Sequence, residues 1–156
     1  MSMKRLKEFL LAANRAGYAG GKEKQWKHEK DHSTTIVFEK GLWKSYDNFF
    51  GGEPYGGRSV VFYQNKPVWI MVYYGWVKKG EDTNKIYEIL REALMLMPKD
   101  HPFRGPKEYK KGLYVYTNAW EGTMERFSGT EHIRAGDDEM YHASYMGGFV
   151  DQREGV

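Results

Sequence analysis

The chain has no cysteine among its 156 residues. That excludes disulfides and thiolate chemistry and fits a reducing compartment. It has no apolar run approaching the ~20 residues that cross a bilayer, and its first residues carry no signal-type hydrophobic segment. Neither sign of charge is massed anywhere: 24 Lys and Arg are interspersed with 21 Asp and Glu, for a net charge of +3. A nucleic-acid footprint is normally far more basic and more clustered. Two motifs are also missing. Without GxxxxGK[ST] the glycine pairs 51–52 and 56–57 are not phosphate loops, and no HExxH supplies a zinc site. These absences predict a soluble, cytoplasmic protein with no membrane or nucleic-acid partner, no cofactor and no metal.

Aromatic residues are plentiful, at 16% of the chain. Three of the five tryptophans and many of the tyrosines fall between Trp43 and Trp76. That stretch reads as strand, glycine-rich connection, strand, tight turn (Gln64-Asn65-Lys66) and strand. The strands run over 42–50, 58–63 and 67–74, with Pro67 at a first position because it has no N–H for a ladder. Residues 68–74 are apolar or aromatic at every position, so the strand should need cover on both faces, from helices on one side and from loops, a partner or a ligand on the other. Upstream, Leu6, Phe9, Leu10 and Ala13 predict a helix over 4–16 stopped by Gly17. Residues 19–33 read as a loop that Trp26 could pin to the body, and 34–39 as a β-branched strand. Downstream, Asp82 or Thr83 caps a helix with apolar positions at Ile86, Ile89, Leu90, Ala93, Leu94 and Met97, stopped by Pro98. A proline-rich loop over 98–106 leads to strands over 112–120, 125–134 and 139–149.

The second group of strands repeats the first. Tyr46-Asp47-Asn48 matches Tyr116-Thr117-Asn118, Tyr55-x-Gly57 matches Phe127-x-Gly129, Val61 matches Ile133, Trp69 matches Tyr141, and Tyr73-x-Gly75 matches Tyr145-x-Gly147. The expectation is a single α+β domain over 1–156. It would be a tandem duplication of a helix plus three-stranded antiparallel unit, with repeats at about 42–76 and 112–149 and two helices packed on a curved, mainly antiparallel sheet.

These landmarks resemble an uncharacterised domain-of-unknown-function family of bacteria and archaea. Phe50-Gly51-Gly52, Lys66-Pro67-x-Trp69, Tyr73-Tyr74-Gly75, Phe103-Arg104-Gly105-Pro106, Phe127-x-Gly129-x-Glu131 and Tyr145-x-Gly147-Gly148 carry the resemblance. It implies a fold shared over nearly the whole chain, with relatives found alone or behind Xre-type helix-turn-helix domains, and it carries no activity across. Two positions depart from the pattern: Ser59, where a carboxylate often follows the first aromatic-x-Gly, and Val72, where an amide sits.

For function, the repeat-paired aromatics Tyr46, Tyr55, Trp69, Tyr73, Tyr116, Phe127, Tyr141 and Tyr145 are either packed core or the walls of a cleft. Repeat symmetry favours core, because packing is simply duplicated, whereas tyrosine favours a cleft, because each buried hydroxyl needs a partner. Asp47, Glu53, Glu125 and Glu131 are candidate acids or bases, against the plain reading of solvated or turn-capping carboxylates. Arg104 sits in a stiff loop and could clamp a carboxylate or phosphate. His28 and His32 lack a helix to align them. His132 and His142 can share a face only in one hairpin register. The leading expectation is a small-molecule-binding or sensor domain with a cleft formed by Tyr46, Asp47, Tyr55, Tyr73, Arg104, Tyr116, Glu131 and Tyr145. The alternatives are a small acid–base enzyme using Asp47 or Glu131, and a module that forms a homodimer.

Overall fold

A computed structural model describes residues 1–18 and 24–153. In chain order it contains α1 (Met3–Tyr18), β1 (Gln25–His28), β2 (Thr34–Lys40), β3 (Trp43–Phe50), β4 (Tyr55–Tyr63) and β5 (Lys66–Val77). Then come α2 (Thr83–Met95), β6 (Glu108–Lys111), β7 (Tyr114–Thr123), β8 (Arg126–Ala135) and β9 (Asp138–Phe149). All nine strands join one open antiparallel sheet in the order β1-β2-β3-β4-β5-β9-β8-β7-β6. Two meanders thus meet at β5 and β9, because the connection through α2 carries the chain to the far edge before it returns. Tyr73 lies opposite Tyr145 at this seam.

Local chemistry accounts for the elements. The Asp82 side chain accepts a hydrogen bond from the Lys85 backbone N–H at 3.2 Å, capping α2. The α2 stripe Ile86, Ile89, Leu90, Ala93 and Leu94 is buried on Tyr116, Ile133 and Tyr141. The α1 stripe Leu6, Phe9 and Ala16 is buried on Phe38, Trp43, Val61 and Trp69. The Asn14 side-chain amide donates to Leu94 O at 2.9 Å and ties the two helices together. Among the described residues, no helix is long and apolar enough to cross a membrane.

The turn between β4 and β5 has two residues, Gln64 and Asn65, both with positive φ, the twist that two-residue hairpins favour. Lys66 is already in the strand and Pro67 is its second residue. A register shift at Val61/Phe62 accommodates that proline. Two edge strands escape the sequence patterns. β1 falls inside the expected loop, with every residue exposed including Trp26, which pins nothing. β6, Glu-Tyr-Lys-Lys, is too charged to read as a strand, and such charge blunts a sheet edge. Residues 19–23 of the expected loop lie outside the described residues.

Of the covers expected for β5, the helices supply one, and the described loops of the chain do not supply the other. Trp69, Met71 and Val77 are buried on the helix side, but Val72, Tyr74 and Trp76 are exposed on the other, beside exposed Met146 of β9. Val72, Tyr74 and Met146 line a shallow groove of about 740 Å³ with Ala119, Ser128, Thr130 and Ser144.

Candidate functional site

The polar residues that matter lie on the helix side of the sheet, between the two apolar clusters. Alternation along the strands sets this. Asp47 pairs with Ser59, Ser59 with Met71, Gly57 with Tyr73, Tyr73 with Tyr145 and Glu131 with Ala143, so their side chains share one face. Glycines make room for the rings. A Cβ on Gly129 would lie 2.2 Å from the Tyr145 ring, and one on Gly75 would lie 2.9 Å from the Tyr55 ring. Each tyrosine therefore lies flat over the glycine it pairs with, and the hydroxyls converge.

The loop between α2 and β6 closes the site from above. Phe103 is buried and stacks on Phe127 with centroids 4.0 Å apart, fixing the loop to the core. The Gly105 N–H donates to the Tyr116 hydroxyl at 3.1 Å, and Gly105 O accepts from the Asn118 amide at 2.9 Å. So held, Arg104 donates from Nε to Glu131 Oε1 at 2.7 Å and from Nη2 to the Tyr55 hydroxyl at 3.2 Å. Its guanidinium also lies over the Tyr73 ring, 5.6 Å from the centroid. Glu131 is 0% exposed and its other oxygen accepts from the Tyr116 hydroxyl. Tyr55 and Tyr141 share a hydrogen bond, and Tyr145 donates to Asn118 Oδ1 at 2.8 Å. Tyr73 and Ser59 both donate to Asp47 Oδ1.

The floor and the mouth of this arrangement differ. Glu131, Tyr116, Tyr141, Tyr145 and Asn118 are buried, whereas Asp47, Ser59, Tyr55, Tyr73 and Lys24 are half-buried, and the Arg104 side chain keeps 12% exposure. Among the described residues both hydrogen bonds to Asp47 go to Oδ1. Loss of hydration raises the hydroxyl pKa values of Tyr55, Tyr73, Tyr116, Tyr141 and Tyr145, so these groups remain neutral hydrogen-bonding partners. Desolvation opposes the charge on Arg104, but Glu131 foremost holds it above its ordinary value. Burial lowers Lys24, and Asp47 partly offsets this.

Asp47 is the group whose charge is least settled. Desolvation raises its pKa above the ordinary 3.8, while Tyr73, Ser59, Lys24 and Arg104 pull it back. A folded-state value above the unfolded one means that the stability contributed is fully present below pH ~3.8 and is lost as pH rises through the folded value. Asp47→Asn keeps an acceptor for Tyr73 and Ser59 and removes the ionisation. It should therefore exceed the parent in stability at pH 7, and the gap should close as the pH falls toward 4. Urea melts at the two pH values check this; a less stable variant at pH 7 would reverse the sign.

Of the residues singled out in the sequence, Asp47, Tyr55, Tyr73, Arg104, Tyr116, Glu131 and Tyr145 meet in this network. Tyr46 does not. It lies on the opposite face, edge-on to Phe62 with Lys44 over its ring. The motif match misplaced it. Ser45 pairs with Val61 as Tyr116 pairs with Ile133, and Asp47 pairs with Ser59 as Asn118 pairs with Glu131, so the motif match sets Tyr46 one residue out of step with the strand pairing. A one-residue slip between similar strings changes the face. Glu53 sits elsewhere, accepting from the Val77 N–H at 2.7 Å and from the Tyr87 hydroxyl. Two members of the network lie outside the expected site: Asn118, whose neutral amide bonds Gly105 O and the Tyr145 hydroxyl, and Tyr141, which shares a hydrogen bond with Tyr55.

No curated protein and no solved structure matches the chain. A family model described as Domain of unknown function (DUF5680) matches residues 47–150, from Asp47 through Arg104 and Glu131 to the end of the last strand. The match spans two thirds of the sequence and every member of the polar network except Lys24, and the chain belongs to the DUF5680 family.

Proposed function

We propose that the protein is a small-molecule-binding, sensor-type domain whose ligand enters the mouth formed by Asp47, Tyr73, Tyr55, Arg104 and Lys24. The observation that carries this reading is the half-buried Asp47, whose Oδ1 accepts from Tyr73 and Ser59 while two cations, Arg104 and Lys24, lie close enough to act on its charge. A packing network alone has no need to expose both signs of charge beside aromatic walls. The chemistry suits a small polar molecule with a hydrogen-bond donor for Asp47 and an anionic group for Arg104 or Lys24. Glu131 is the anchor of Arg104 instead of a base, because both its oxygens are engaged and it is wholly buried. An acid–base role, if the ligand reacts, falls to Asp47. The duplication inferred from the sequence belongs to the same proposal, supported by the Tyr73–Tyr145 pair at the seam.

Thermal-shift screening and native mass spectrometry against a library of polar metabolites test the reading. A true ligand at a hundredfold excess over its Kd should stabilise the parent by about 2.7 kcal/mol. The gain should largely vanish in Asp47→Asn and Tyr73→Phe, both of which should fold. A flat response across the library, or a shift that survives both changes, would remove the proposal.

A second reading rests on the bare sheet face. Tyr74 is 53% and Met146 60% exposed, beside Val72 and Trp76, and a contiguous apolar patch of this kind suits a second copy of the chain. Sedimentation at micromolar concentration should show a dimer that Tyr74→Lys with Met146→Lys converts to monomer. A monomeric parent would overturn it.

A further inference from the structure

We propose that His132, His142 and Glu139 form a binding site for a divalent transition-metal ion of the zinc type, on the sheet face away from the helices. The site is separate from the Asp47–Arg104 network and does not depend on it. Its basis is the register of the β8–β9 hairpin, which the sequence left open. His132 and His142 are direct cross-strand partners, with ring centroids 4.7 Å apart, so both imidazoles rise from the same face. A bulge supplies the third ligand. Ile133 pairs with Tyr141 but Arg134 pairs with Glu139, leaving Met140 as the extra residue. Met140 and Tyr141 both turn into the core, and Glu139 emerges on the face of the histidines. Re-aiming one side chain is what a bulge does to a strand.

The carboxylate of Glu139 addresses both rings, with Oε2 2.7 Å from His132 Nδ1 and Oε1 3.6 Å from His142 Nδ1. One ligand atom from each of the three residues lies within 4.8 Å of the others. Tetrahedral zinc, with bonds of ~2.0–2.2 Å, needs its ligand atoms roughly 3.4 Å apart. Side-chain rotation on a paired hairpin can close that difference without moving the backbone. Two imidazoles and one carboxylate suit zinc, copper or nickel in preference to magnesium or calcium, and leave a fourth position for water. The surroundings orient one ligand in advance. Trp76 stacks on His142 at 4.6 Å, and the Ser144 hydroxyl lies 3.3 Å from His142 Nε2, on the nitrogen away from Glu139. One neighbour opposes the ion: Arg134 Nη2 is 3.7 Å from Glu139 Oε2 and competes for the carboxylate.

Titration of the chelator-treated full chain with zinc chloride, followed by calorimetry, tests the site, with cobalt chloride and visible absorption as a second reading of coordination. The expected result is uptake of one equivalent. His132→Gln and His142→Gln should each weaken it by at least the roughly 10–100-fold that loss of a supporting partner alone costs. Substituting His101, whose ring packs on Phe103 and Trp120, as His101→Gln should leave binding like the parent's, and Arg134→Gln should bind as tightly or more tightly. Both ligand histidines are outside the apolar core, so metal-free melting temperatures of these variants should match the parent and show that lost uptake is not lost folding. No uptake by the parent would overturn the site, as would uptake unchanged in both histidine variants or magnesium binding of equal strength.

Discussion

Trp69→Ala should lower the unfolding free energy by ~3–5 kcal/mol, the usual range for removing a large buried ring. Trp69 is 1% exposed and stacks on Phe127 with centroids 5.4 Å apart. Phe127 in turn stacks on Phe103, so the tryptophan supports a column of rings from the sheet up to the loop that carries Arg104. Its indole N–H donates to Met124 O at 3.2 Å. The substitution therefore empties a cavity and also leaves a buried carbonyl without that partner. Against the 5–15 kcal/mol that holds an ordinary domain together, much of the population would unfold under mild denaturant. Urea melts decide the point, and a Trp69→Ala protein as stable as its parent would mean that the ring is not part of the core. A melt that loosens the loop before the sheet would show the column transmitting the damage to Arg104.

Arg104→Met should be comparably severe, at about 3–5 kcal/mol, for an electrostatic reason. The guanidinium is the charged partner of Glu131, which is fully buried. Removing the cation leaves a carboxylate in the interior with the Tyr116 hydroxyl as its remaining donor, and an uncompensated buried charge is what makes breaking such pairs costly. The ion pair as a whole need not stabilise the fold by that amount, because both groups lost hydration to form it. Adding Glu131→Leu to Arg104→Met should therefore recover part of the loss. Recovery should be incomplete, since Tyr55 and Tyr116 each lose a hydrogen-bond partner in the double variant. Chemical denaturation of the four proteins gives the coupling directly. A double variant as damaged as the sum of its singles would show that the pair acts through packing instead of charge.

Both predictions concern residues visible in the sequence, and the reasons they were visible are physical. Trp69 stood out as the bulkiest group on its strand, and burial follows when a large ring alternates onto the covered face. Arg104 stood out because it is held between Phe103 and Gly105-Pro106. What the sequence missed has equally definite causes. β1 and β6 contribute almost no buried apolar surface, so they leave no hydrophobic alternation, and they are strands because a neighbouring edge offers them hydrogen bonds.

By itself the sequence determined that there are two helices, the central strands and the β4–β5 turn, because capping residues, apolar spacing and turn residues act within a few residues along the chain, although α1 runs through Gly17 to Tyr18 instead of stopping there. It also determined that Tyr55, Tyr73, Arg104, Glu131 and Tyr145 would be notable, since aromatic rings and charges next to glycines are conspicuous in any register. Which of them meet was decided by tertiary structure alone. Pairing register is a relation between strands far apart in sequence, and a shift of one residue moves every side chain to the other face. That shift separates Tyr46 from the network its motif suggested and brings Asn118 into it. The same physics leaves Val72, Tyr74 and Trp76 bare, because the sheet stays open and both helices pack on its other side. A bulge at Met140, invisible in composition or spacing, brings Glu139 beside His132 and His142.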